Sequence, residues 1–153
     1  MRVSFREDED RPGQFALWEA NCQRSIKGRV GQRELRELEA ALLALPEKRL
    51  IRGLLTDDAG GVCSIACYAQ HKGLDLSKVD REDESDEVGI RAGMPRLVAW
   101  QVVAMNDLHL DTVWEVAHGP VERGHGTYLV REMTPEERYT KMLAWVRAQL
   151  EER

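Results

Sequence analysis

No apolar run in the 153-residue chain approaches the roughly 18 residues that a bilayer crossing needs. Its first 20 residues are charged where a secretory leader would be greasy. Both absences lead to the expectation of a cytoplasmic protein with no membrane partner. Cysteine is scarce and odd in number, at three, and Cys63 and Cys67 fall in one expected helix. That pattern excludes a disulfide framework and reads as reduced thiols. Positive charge is in deficit, with 22 Lys and Arg against 27 Asp and Glu and a net charge of −5, which argues against a broad phosphate-neutralising surface. There is no Walker loop, no Gly-x-Gly-x-x-Gly after a strand and no internal repeat. What is present is the composition of a folded chain, 42% hydrophobic and 32% charged. The length suits about one domain, which buries roughly two thirds of its unfolded surface without a disulfide or metal.

The least polar and most strongly punctuated stretch is 45–73, and it reads as the core against which the other helices pack. Before it, residues 1–11 end in a charged run and suit a flexible tail or an edge strand. From Pro12, the residues Phe15, Trp18, Cys22 and Ile26 recur at spacings of three and four, which predicts a helix closed by Gly28. Residues 29–31 then read as a short connection into a second helix, forming a helical hairpin. In that helix Leu35, Leu38, Leu42 and Leu45 make the buried stripe, and Arg33, Glu34, Arg36, Glu37 and Glu39 the wet face. Pro46 ends it. The apolar run 50–56 before Asp57-Asp58-Ala59-Gly60-Gly61 reads as a strand entering a tight reversal. A small-residue helix over 62–72 follows.

Residues 80–87 carry six carboxylates and one arginine and read as a solvated acidic loop, with mimicry of nucleic-acid phosphates as its sharper alternative. Residues 94–106 are helical with two apolar faces, which predicts a central helix. Over 111–131 the β-branched and aromatic stretches 112–116 and 127–130 flank Gly119, Pro120, Gly124, His125 and Gly126, which suits an inserted β-hairpin. The final helix has Thr134 as N-cap, Pro135 at its first position and Glu137 placed for a capping box, with Tyr139, Met142, Leu143, Val146 and Leu150 facing inward. The expected fold is therefore mainly α: an irregular bundle of about five helices with a small β-hairpin, in one domain spanning 1–153.

Candidate chemistry is thin. Cys63, Cys67 and His71 share a helix face and are zinc-ligand types, but three ligands along one straight helix spread over about 12 Å, too far for one ion. Pairing two of them with His109, His118 or His125 is the variant left open. Cys63 lies near a helix start, where the dipole lowers a thiol pKa, whereas buried inert cysteine is the ordinary alternative. Trp114 beside Arg123 or Arg131, with His125 between two glycines, forms a possible interface. Arg24, Lys27, Arg29, Arg33 and Arg36 put five positive charges in thirteen residues, a possible nucleic-acid contact. No catalytic residue, cofactor or metal is assigned.

The blocks LEAALLALPEKRLI, GGVCSIACYA and TPEERYTKMLAWVRAQL resemble small uncharacterised proteins of bacteriophages and prophages. The likeness covers 14–70, 94–108 and 134–150, and leaves the hairpin region as an insertion. In that family a glycine often stands where this chain has Cys67. The resemblance implies a phage origin and a host-cell cytoplasm, and it transfers no activity. The resulting expectation is a phage-type accessory protein that binds a host or phage protein, with a homodimer as one arrangement, without catalysis. The alternatives are a nucleic-acid-associated regulator using the basic cluster and a metal- or thiol-dependent enzyme.

Overall fold

The computed structural model describes residues 13–107, 110–115 and 127–151. Six helices occur among them: α1 (Gln14–Lys27), α2 (Arg29–Ala44), α3 (Ser64–His71), α4 (Ser85–Ala92), α5 (Arg96–Asn106) and α6 (Pro135–Gln149). Two strands, β1 (Leu110–Glu115) and β2 (Thr127–Glu132), lie between α5 and α6. The architecture is mainly helical, as expected.

The centre is α3, in which Ser64, Ile65, Ala66, Cys67, Tyr68 and Ala69 are all buried. Its small side chains let α2, α4 and α5 approach closely. The apolar stripes read from the sequence point at it. Leu35, Leu38 and Leu42 of α2 have no exposed surface, and neither do Val98 and Val102 of α5 or Val146 of α6. Such burial is worth about 1.5–3 kcal/mol per large side chain. Thr134 caps α6 as anticipated, accepting from the Glu137 amide.

Three local expectations are corrected. Gly28 alone joins α1 to α2, and residues 29–31 belong to α2. Residues 50–56 are not a strand. Their amides find partners in separate segments, Leu50 on the Pro135 carbonyl, Ile51 on Val62 and Leu55 on Arg81, so no ladder forms beyond the single bridge Thr56–Val62. The acidic stretch is a loop only in part. Helix α4 starts at Ser85, with Asp86 and Glu87 in its first turn where the dipole favours them, and Val88 has no exposed surface. Eight residues were too short a window for periodicity to reveal it.

The backbone of β1 pairs antiparallel with β2, from Leu110 opposite Glu132 to Glu115 opposite Thr127. The segment joining them lies outside the described residues, as do residues 1–11.

One buried polar network closes the end of α5. The Asn106 side chain accepts from the Ser64 amide at 3.0 Å and the Ser64 hydroxyl at 2.7 Å, and donates to the Ile51 carbonyl at 2.9 Å. The buried Arg138 guanidinium donates to the Asn106 carbonyl. Replacing Asn106→Ala leaves the Ser64 donors without this acceptor in a buried setting and is expected to cost about 2–4 kcal/mol. Urea denaturation measures this, and a loss below about 0.5 kcal/mol contradicts it.

Candidate functional site

Among the described residues, an open groove of about 560 Å³ lies between two helix corners. One wall is the α1–α2 corner, with Ser25, Gly28, Arg29, Val30 and Gly31, and the other is the α4–α5 corner, with Ile90, Gly93, Met94 and Pro95. Close backbone approach makes the first corner. A side chain at Gly31 would put its Cβ 2.0 Å from the Ser25 carbonyl oxygen, so only glycine fits. The terminal carbonyls of α1 therefore lie against the first turn of α2, where opposed helix dipoles offset each other. Side chains, rather than backbone, set the charge of this corner. Val30 is 44% exposed beside it.

Behind the second corner lies a buried carboxylate. Glu34 of α2, expected on the wet face, is 1% exposed. It accepts from Tyr68 Oη at 2.6 Å, Lys72 Nζ at 3.0 Å and Arg33 Nε at 2.9 Å. Burial by itself raises its pKa, but the hydrogen bonds from Tyr68, Lys72 and Arg33, with the Lys72 charge, outweigh that and hold the carboxyl below its ordinary value. The Tyr68 hydroxyl is driven the other way, first by burial and then by its bond to Glu34. Gly93 separates this pair from the groove. Its φ of +119° requires glycine, and an added Cβ would stand 3.6 Å from Tyr68 Oη and 3.8 Å from Glu34 Oε2. The wall between groove and carboxylate is thus one glycine thick.

Two of the five basic residues, Lys27 and Arg33, are paired with carboxylates, whereas Arg36 meets only a carbonyl. Lys27 reaches Glu151 at 3.9 Å, Arg33 holds Glu34, and Arg36 donates to the Glu151 carbonyl at 3.5 Å. Arg24 and Arg29 are exposed and have no acidic partner among the described residues.

Cys63, Cys67 and His71 do not converge. Cys63 is the N-cap of α3, with its sulfur accepting from the Ala66 amide at 3.4 Å. Burial pushes its thiol up to about 11 and that of Cys67 up to about 12, so desolvation overrides the expected helix-dipole activation. His71 instead meets Glu37 at 3.2 Å on the surface. No cluster of three or more His, Cys, Asp or Glu suited to a metal occurs among the described residues. His109, His118, Arg123 and His125 lie outside them. The backbone of Trp114 pairs with Tyr128, and that of Arg131 with Asp111. No helix among the described residues is long and apolar enough to cross a membrane.

Glu34 was missed because a carboxylate flanked by Arg33 and Arg36 on a helix looks solvated. Its one available signal was Tyr68 and Lys72, spaced four apart at the end of an otherwise uncharged helix of mostly buried residues. Comparison of the chain with protein-family models, curated proteins and solved structures finds no match.

Because the Glu34 pKa is lowered on folding, its contribution to stability is full above the unfolded value near 4.5 and is lost as pH falls through the folded value. Glu34→Gln is expected to destabilise by about 1–3 kcal/mol at neutral pH and to flatten the acid limb of stability against pH. An unchanged acid limb in urea titrations contradicts this assignment. A thiol probe at neutral pH is expected to leave Cys63 and Cys67 unmodified in the native protein and to label both in urea; rapid native labelling of either shows an activated thiol.

Proposed function

We propose that this chain is a binding module without chemistry of its own, and that the groove between the α1–α2 and α4–α5 corners is the face it offers to a partner protein. The observation that carries this reading is the groove itself, where Val30, Ile90 and Pro95 line open apolar space beside Arg29, which has no acidic partner among the described residues. Concave apolar space with a few placed charges is the usual form of a recognition site. The chemistry-bearing groups elsewhere support the same reading. The Cys63 and Cys67 thiols are held protonated by burial, and Glu34 is saturated by three donors. The partner is a host or phage protein if the resemblance of residues 14–70 reflects origin.

Val30→Glu tests the site with little risk to the fold, since Val30 is exposed and a carboxylate in the first turn of α2 suits the helix dipole. Affinity capture from host lysate, quantified by mass spectrometry, is expected to return a polypeptide with the natural chain that falls at least about tenfold with Val30→Glu, a cost of about 1.4 kcal/mol. Leu43→Ser, on the exposed far end of α2, is expected to retain it. Equal capture by Val30→Glu and the natural chain overturns the reading.

A further inference from the structure

We draw no further inference here: the strongest candidate, the open apolar groove between the α1–α2 and α4–α5 corners, belongs to the site already described, and nothing in the structure shows what covers it.

Discussion

The structure depends on a buried carboxylate. Moving Glu34 out of water carries a penalty of several kcal/mol, which only charged or hydrogen-bonding partners offset. Three donors meet it, one from its own helix, one from α3 and one from Lys72, the residue that follows α3. They fix the register of α2 against α3 in a way that the leucine stripe cannot, because apolar contact is non-directional and tolerates sliding. Gly93 then has to stand close to the pair, and its left-handed backbone ends α4 at that point. Glu34 thus ties α2 to the end of α3 beside the last turn of α4.

A second polar network does the same work at the other end of α3. Ser64 at its start is held by Asn106, and Tyr68 with Lys72 at its end by Glu34. An eight-residue helix of small side chains has little stability alone. Pinned at both ends, it becomes the rigid element on which α2, α4 and α5 rest. The apolar side chains supply most of the favourable burial, and the two networks select one arrangement of it. Each is costly to leave half made, which favours a single packed state over a family of similar ones.

The sequence made the helical stripes legible wherever a helix ran for eleven residues or more, as in α2, α5 and α6, because burial of one face leaves a period in the residues. Capping of α6 was legible for the same local reason, since Thr134 and Glu137 carry the geometry between them. Helix α4 was hidden by its acidic composition. The run 50–56 misled because the turn after it implied a strand, whereas a ladder depends on partners from distant segments, and those lie in three different places. The candidate site was least legible of all. The groove exists because Gly31 touches Ser25 and because α4 ends beside α2, and neither relation has a sequence signature. The five basic residues were visible as a cluster, but which of them remain unpaired was not.

That selection is made at the end of α6. Gln32 donates at once to the Ile26 and Gln149 carbonyls, and the Glu151 amide donates back to it at 2.8 Å, which brings the residues after α6 against the start of α2. Glu151 then takes up Lys27 and Arg36, one through its side chain and one through its carbonyl. Meanwhile Glu34 draws Arg33 inward. Of the five clustered cations, Lys27 and Arg33 meet carboxylates, and Arg24, Arg29 and Arg36 do not. Gln32 and Glu34, both buried, thus help decide which cations of α1 and α2 meet a carboxylate.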